Sequence, residues 1–199
     1  MTQTAEILRG CDPVLARIIN TIPEPTIEST NDVFFDLMSC ILEQQIHYRN
    51  TKGIFEKMLL NADLKTLTLE NFEEFEKKAF ANIKLSESKY ETILRTLDFF
   101  RDNKINWEVL DDSEIIAHLS SIKGIGKWTI DMILLYTLQR PNVFPYDDFH
   151  LKEIIVKLYG LDPNSRLKAQ MLDISNAWGE HKSLAVKYLL AWKAYNKKK

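Results

Sequence analysis

The stretch S-S-I-K-G-I-G-K-W-T-I-D-M-I-L-L-Y, residues 120–136, decides the fold of this chain. Gly124 and Gly126 stand one residue apart, and a long apolar run follows them. Glycine tolerates a positive φ and lets another backbone approach closely, and the first amides of a helix have no partner within that helix. The stretch therefore predicts a tight hairpin between two helices whose amides can bind an anion such as phosphate.

Two glycines alone do not establish an anion site, because helix connectors commonly use glycine only for its geometry. The stretch also lacks the spacing and the preceding strand of a P-loop or a dinucleotide-binding fingerprint. Lys127 is a candidate for one ionic contact. On this stretch alone, a phosphate site and a plain helix connector both remain open.

The chain of 199 residues has the pattern of an all-α protein throughout. Apolar residues recur at helical spacing, as at Leu184, Tyr188 and Trp192, and period-two alternation is scarce. Only six glycines and six prolines interrupt the pattern. We expect about nine or ten helices of ordinary length.

Two helices are predicted to flank the hairpin. Asp111 and Glu114 have the spacing of a capping box and predict the start of the helix before it. The run after Gly126 is apolar on nearly all sides and predicts a buried central helix that stops before Pro141. The hairpin would then join a surface helix to a core helix.

Composition limits the kinds of function that the chain can have. A net charge of −2 argues against binding nucleic acid by bulk positive potential, so any such contact has to be local. Cys11 and Cys40 are too few for a disulfide framework or for an iron–sulfur cluster held by thiolates. Neither a membrane span nor a signal peptide is recognisable, so we expect an intracellular protein.

An acidic pair follows the central helix in N-V-F-P-Y-D-D-F-H-L-K-E-I-I-V-K-L-Y-G, residues 142–160. Pro145 and Tyr146 predict a bend, and Asp147 and Asp148 then stand at the start of a helix that runs to Gly160. An aspartate in this position is ordinarily an N-cap. The pair by itself therefore indicates little about chemistry.

The order of helix, hairpin, buried helix, proline-containing loop, acidic pair and helix resembles the helix-hairpin-helix DNA glycosylase superfamily. Residues 122–129, 143–152 and 178–192 look most like its 3-methyladenine DNA glycosylase II branch, and residues 11–19, 40–58 and 85–97 are further matches. This resemblance implies one all-α domain over residues 1–199, with two helical lobes and a cleft between them. We place the central lobe at 31–120 and the terminal lobe at 1–30 plus 121–199.

The resemblance implies a monofunctional DNA N-glycosylase that flips and excises alkylated purines, such as 3-methyladenine, and leaves an abasic site in base excision repair. By match to the family motif, Asp148 is the catalytic carboxylate and Asp147 is a cap or a partner. Members that also cleave the strand carry a nucleophilic Lys just after the hairpin, and Trp128 stands at that position here.

The base pocket implied by the resemblance is lined by aromatic and other side chains from two parts of the chain. Trp128 is the candidate wall, since an aromatic face attracts a cationic alkylated base. Met132 and His181 stand where the family commonly has aromatics, and Trp178 lies beside His181. A core role for Trp128 remains open, because most buried aromatics simply pack.

The resemblance also implies DNA contacts at the hairpin and at the end of an earlier helix. The hairpin residues are Gly124, Ile125, Gly126, Lys127 and Thr129. Between Gln44 and Gln45, we choose Gln45 as the plug of the gap that the flipped base leaves, with His47 and Tyr48 in the minor groove. A polar helix terminus is the alternative interpretation of these four residues.

The partner implied is double-stranded DNA with damaged bases, bound by a monomer in the cytoplasm at the nucleoid or, in a eukaryote, in the nucleus. No organic cofactor is implied. A monovalent cation, Na⁺ or K⁺, would be held by the carbonyls of Ser120, Ile122 and Gly124. Two alternatives stay open: a non-catalytic helix-hairpin-helix DNA-binding protein in which Asp148 is only a cap, and a glycosylase for a different damaged or mismatched base.

Overall fold

The structure is a computed structural model that describes residues 1–43, 52–81 and 85–196. Over these ranges the chain forms helices and no strand, which confirms the all-α prediction. The α-helices are α1 (Gln3–Cys11), α2 (Pro13–Ile19), α3 (Val33–Glu43), α4 (Lys52–Ala62), α5 (Phe72–Ala79), α6 (Glu87–Asp102), α7 (Asp112–Ser120), α8 (Lys127–Met132), α9 (Phe149–Tyr159), α10 (Leu167–Asn176) and α11 (Lys182–Asn196). A π-helix spans Ile133–Thr137, and a 3₁₀-helix spans Gly179–His181. None of the described helices is long and apolar enough to cross a membrane.

The chain divides into two compact units. Unit 1 comprises Met1–Glu28 and Leu134–Lys199, and unit 2 comprises Ser29–Ile133. The lobes drawn from the sequence change at residues 30 and 120, whereas the units change at 28/29 and 133/134. The hairpin and α8 therefore lie in unit 2, where α8 packs against α3 and α7.

Unit 2 is organised around aromatic side chains. Phe75 is fully buried and meets Phe55 and Phe80 edge-on, with ring centroids 6.0 and 5.6 Å apart. Such edge-to-face contacts add to the stabilisation that comes from burying the rings. Around them, α3 packs against α4 and α6, and α4 packs against α5.

The helices on either side of the hairpin follow the predicted pattern in part. The capping box is confirmed: Glu114 donates its amide to Asp111 Oδ1 at 2.9 Å, and Asp111 donates its amide to Glu114 Oε2 at 2.9 Å. All of residues 129–137 are buried, as predicted for the central helix. This helix is not uniform, because its α-helical part, α8, changes to the π-helix at Ile133.

Unit 1 contains the acidic pair. Helix α11 packs against α2 and α9, and α1 packs against α2. Each of these four helices contributes a fully buried side chain to the core of the unit: Leu8, Leu15, Ile155 and Leu189. Helix α9 ends at Tyr159 and is capped by Gly160, whose φ of 64° is the left-handed conformation that glycine adopts without strain.

Candidate active site

Asp148 is the N-cap of α9. Its Oδ1 accepts a hydrogen bond from the Leu151 amide at 2.7 Å, and its own amide donates to the Pro145 carbonyl at 2.9 Å. The residue is 9% exposed. The cap and the turn together fix the direction of a carboxylate that lies almost entirely below the surface.

Asp147 has a different environment from Asp148. It is exposed, and its Oδ1 lies 3.5 Å from Lys152 Nζ. A pair between exposed charges contributes little to stability. Of the two acids, Asp148 is thus the cap and the buried carboxylate, and Asp147 is a partner of Lys152, one of the two roles expected for it.

The loop before Asp148 is fastened to the segment that opens α11. Val143 donates its amide to Ser183 Oγ at 2.9 Å, and the Ser183 amide donates to the Pro141 carbonyl at 3.0 Å. Asn142 adds side-chain bonds to Glu180 at 2.8 Å and to Lys182 at 2.9 Å. These hydrogen bonds fix the path of residues 141–143, which lead to Asp148.

The predicted pocket residues are divided between the units. Trp128, which is half-buried, and Met132, which is 3% exposed, belong to unit 2. Asp148, Trp178 and the half-buried His181 belong to unit 1.

Trp178 requires a correction. Its side chain is 1% exposed, its ring packs edge-on against Phe144 at 5.6 Å, and its Nε1–H donates to Asp12 Oδ2 at 2.8 Å. Both the apolar faces and the polar edge of the indole are thus used inside unit 1, as is usual for a buried tryptophan. We assign Trp178 to the core of unit 1 rather than to a base pocket.

The two glycines of the hairpin differ in geometry. Gly124 has a φ of +106°, and a Cβ there would lie 2.8 Å from Thr92 Cγ2 and overlap its Oγ1. Gly126, by contrast, has a φ of −97° and is the N-cap of α8. Among the described residues, nothing lies within 4 Å of a Cβ built on Gly126. Of the two properties of glycine named from the sequence, Gly124 uses the positive φ, and Gly126 leaves room for the close approach of another backbone.

Two predicted DNA contacts of the hairpin are not available through their side chains. Ile125 is 8% exposed and Thr129 is 1% exposed. The Ile125 amide already donates to the Ile122 carbonyl at 3.0 Å, so it closes the turn instead of facing a phosphate. In contrast, Gly124 and Gly126 are exposed, and in the described part of the chain no hydrogen bond from either amide is found.

The lysines beside the hairpin also differ. Lys127 Nζ lies 2.7 and 2.6 Å from the two carboxylate oxygens of Asp131, whose side chain is 8% exposed. Lys123 is exposed, and no ion pair of Lys123 is found among the described residues. Lys127, the cation that the sequence predicted, is thus already paired with Asp131. Lys123, which the sequence analysis did not single out, stands beside Gly124 and has no such pair within the described ranges.

The remaining predicted contacts are placed as follows. Gln44, Gln45, His47 and Tyr48 lie outside the described residues. Ser120, Ile122 and Gly124 follow one another through the turn at the end of α7, in unit 2. Within the described ranges, no group of three or more His, Cys, Asp or Glu side chains has the arrangement of a metal site.

Comparisons with known proteins agree with the fold and with the sequence resemblance. No family model matches the chain. DNA-3-methyladenine glycosylase 1 of Schizosaccharomyces pombe is 26% identical over 199 residues, covering 95% of this chain and 86% of the relative. The putative DNA-3-methyladenine glycosylase YfjP of Bacillus subtilis is 26% identical over 166 residues, covering 79% of this chain and 58% of the relative.

Two solved structures have closely similar folds. The S. pombe 3-methyladenine DNA glycosylase in complex with abasic DNA superposes with a TM-score of 0.81 at 23% identity and covers 95% of both chains. The DNA-3-methyladenine glycosidase of Bacillus halodurans gives a TM-score of 0.78 at 21% identity, covering 100% of this chain and 92% of the other. The chain therefore has the fold of these DNA glycosylases. Its relatives by sequence carry the name of the 3-methyladenine branch.

Proposed function

We propose that the protein is a monofunctional DNA N-glycosylase that excises alkylated purines, such as 3-methyladenine, from duplex DNA and leaves an abasic site for base excision repair. The single observation that carries this proposal is the nearly buried carboxylate of Asp148, held as the N-cap of α9 behind a fastened loop. The glycosylase fold and the names of the sequence relatives support it.

The chemistry starts with a flipped nucleotide, because the N-glycosidic bond is inaccessible in the stacked duplex. As the bond to the base breaks, positive charge develops on the deoxyribose. The Asp148 carboxylate stabilises this charge and orients a water. The water oxygen bonds to C1′ and its proton passes to the Asp148 carboxylate, while the base departs with the bonding electrons. An alkylated purine is already cationic, so its departure needs little further protonation.

Trp128 supports both the absence of strand cleavage and a preference for cationic bases. It stands where strand-cleaving relatives have a nucleophilic lysine, and its half-buried indole can attract a cation. Lys127, one residue earlier, is not proposed to replace that lysine, since its Nζ is held by Asp131. Met132 and His181 remain proposed pocket residues.

The hairpin is proposed to bind the DNA backbone through the exposed amides near Gly124 and Gly126, and Gln45, His47 and Tyr48 are proposed to occupy the gap and the minor groove. The carbonyls of Ser120, Ile122 and Gly124 are proposed to hold a monovalent cation. In support, the Ile122 oxygen accepts one hydrogen bond, from Ile125, and keeps a second lone pair. Such a cation would supply positive charge for a phosphate. No organic cofactor is proposed.

The protein is further proposed to act as a monomer on double-stranded DNA, in the compartment that holds the chromosome: the bacterial cytoplasm or the eukaryotic nucleus. Its net charge of −2 means that the attraction to phosphate has to come from local groups.

A base-release assay tests the proposal. Duplexes with 3-methyladenine, 7-methylguanine, hypoxanthine or ethenoadenine are incubated with the protein, and free base and strand breaks are quantified. We expect release of alkylated purines without strand breaks. Absence of release from every duplex would favour the non-catalytic DNA-binding alternative, and release only of a neutral base would shift the substrate.

Substitutions at the acidic pair test the role of Asp148. Asn caps a helix about as well as Asp, so Asp148→Asn should unfold with nearly unchanged free energy while excision slows at least about 100-fold. Asp148→Ala should be equally slow and about 1 kcal/mol less stable, because the cap is lost. Asp147→Asn is the matched control, and it should keep nearly the full rate. A wild-type rate in Asp148→Asn would refute the assignment.

A further inference from the structure

The buried carboxylate of Asp12 accepts four hydrogen bonds. The residue is 5% exposed and is the N-cap of α2. Its Oδ1 accepts from the amides of Val14 at 2.8 Å and Leu15 at 3.0 Å, and its Oδ2 accepts from Tyr159 Oη at 2.7 Å and Trp178 Nε1 at 2.8 Å. The α2 cap needs only Oδ1. The second oxygen therefore joins two parts of unit 1 that are distant in sequence.

The hydrogen bond between Tyr159 and Asp12 constrains Asp148 through α9. Tyr159 is the last residue of this helix, and Asp148 is its N-cap. Burial, followed by the hydrogen bond to Asp12, raises the pKa of Tyr159 well above its ordinary value, so the phenol remains a donor. A regular helix of eleven residues is about 16 Å long and moves as a rod, so fixing its end also constrains its start.

The hydrogen bond between Trp178 and Asp12 constrains Asp148 through the loop that precedes it. The Trp178 ring packs edge-on against Phe144, four residues before Asp148. The segment that follows Trp178 also holds the loop, through the bonds of Ser183 to the backbone at Pro141 and Val143. The loop before the catalytic acid and the helix after it are thus both fastened to Asp12.

We propose that Asp12 is a positioning residue for the catalytic acid, which it orients through Tyr159 and through Trp178. The inference rests on the proposed role of Asp148. A displacement of about 1 Å at a reacting group can cost roughly 100-fold in rate, so a clamp on both flanks of Asp148 affects catalysis more than it affects binding. The motif C-D-P-V-L-A-R-I-I, residues 11–19, thereby acquires a role that its resemblance to the family did not supply.

Tyr159→Phe is the variant that tests the clamp, because it deletes one hydroxyl and leaves no large cavity. We expect the single-turnover excision rate to fall about three- to tenfold, while the dissociation constant for duplex with an abasic-site analogue changes less than twofold. Amide hydrogen exchange over residues 145–152 should accelerate. Asp12→Asn should slow excision by about tenfold or more, provided that it folds, and Tyr159→Phe does not depend on that condition.

Tyr188→Phe is the matched control. Tyr188 lies on α11 in the same unit and is 1% exposed, but its hydroxyl has no bond to Asp12. The Tyr188→Phe variant should have the excision rate of the wild type and the same amide hydrogen exchange over residues 145–152.

Either of two results would overturn the inference: wild-type rate and exchange in Tyr159→Phe, or equal slowing in Tyr188→Phe, which would point to general stability. If the wild type released no base, the proposed function would fail. The exchange comparison would still decide whether Asp12 holds the start of α9.

Discussion

At the scale of single residues, the glycines of the hairpin have separate reasons to lack a side chain. Gly124 needs to be glycine for the fold, because its φ is +106° and Thr92 occupies the space of a Cβ. Gly126 has no such reason within the described chain, since its φ is −97° and the space around it is open. A reason outside the protein, the close approach of a DNA backbone, fits Gly126.

Alanine at each glycine separates these reasons. Gly124→Ala should lower the free energy of unfolding by about 2 kcal/mol or more, from backbone strain and overlap with Thr92. Gly126→Ala should change stability by less than about 0.5 kcal/mol but weaken binding to duplex DNA about tenfold. Denaturant unfolding and fluorescence anisotropy measure the two effects. If Gly126→Ala binds DNA as well as the wild type, the proposed approach of the backbone is wrong.

The prediction that Trp178 lines the base pocket was wrong because it rested on local sequence alone. A tryptophan in a family-like motif is equally compatible with a pocket wall and with a buried anchor, and the decision depends on whether its N–H has a buried partner. That partner, Asp12, lies 166 residues away. No local pattern links the two, so only the tertiary structure could assign Trp178 to the core.

At the scale of elements, two lysines flank the glycine turn in unequal electrostatic states. Lys127 is neutralised by Asp131 one helical turn later, whereas Lys123 has no ion pair among the residues that the structure describes. A lysine that neutralises a phosphate of B-DNA releases counterions and steepens the salt dependence of binding. The contribution of each lysine should therefore be measurable separately.

Glutamine at each lysine tests this difference. Lys123→Gln should flatten the slope of log K against log salt concentration by about 0.9, the value for one phosphate contact. Lys127→Gln should flatten it by less than roughly half of that, since Asp131 already holds the cation. Titrations of duplex DNA at several salt concentrations give both slopes. Equal flattening by the two variants would mean that Lys127 leaves Asp131 to meet the DNA.

Local signals predicted the elements better than they predicted the winding of the central helix. The Asp111–Glu114 box and the hairpin turn follow from short-range chemistry, and both are present. The π-helix at Ile133–Thr137 is as apolar as an α-helix in the same place would be. Hydrophobic pattern reports burial but does not distinguish these two windings, so the change at Ile133 was not predictable.

At the scale of the whole molecule, buried phenols and thiols make stability depend on pH in the alkaline range. Burial, with a smaller contribution from the Glu24 carboxylate, raises the pKa of Tyr188 to about 12. Burial also raises the pKa of Cys40. A group with a raised folded-state pKa stabilises the fold fully below its unfolded pKa, which is about 10 for tyrosine, and this contribution is lost as the pH rises towards the folded value.

Comparison of the wild type with Tyr188→Phe isolates one such group. The free energy of unfolding of the wild type, minus that of Tyr188→Phe, should be constant below about pH 10. This difference should decrease as the pH rises from 10 towards 12, because the wild type loses stability there. Lys187, whose pKa is lowered by burial, acts in the opposite direction but is present in both proteins. Urea unfolding over this range provides the measurement, and a difference that stays constant to pH 12 would contradict the prediction.

The division into units was predictable only in outline. The resemblance implied two lobes, one of them built from two separated segments, but the assignment of residues 121–133 depends on which neighbours bury α8. Helix α8 packs against α3 and α7. Those contacts depend on side chains far apart in the sequence, so the boundary at 133/134 could not be predicted from the hairpin motif.

The discontinuous course of unit 1 also has a consequence for biosynthesis. Residues 29–133 form a unit from one continuous stretch, which can fold while the ribosome is still translating the remainder. Asp12, by contrast, is translated before this stretch, and its partners Tyr159 and Trp178 follow it by 147 and 166 residues. The nascent chain can therefore complete this part of unit 1 only after Trp178 has been translated.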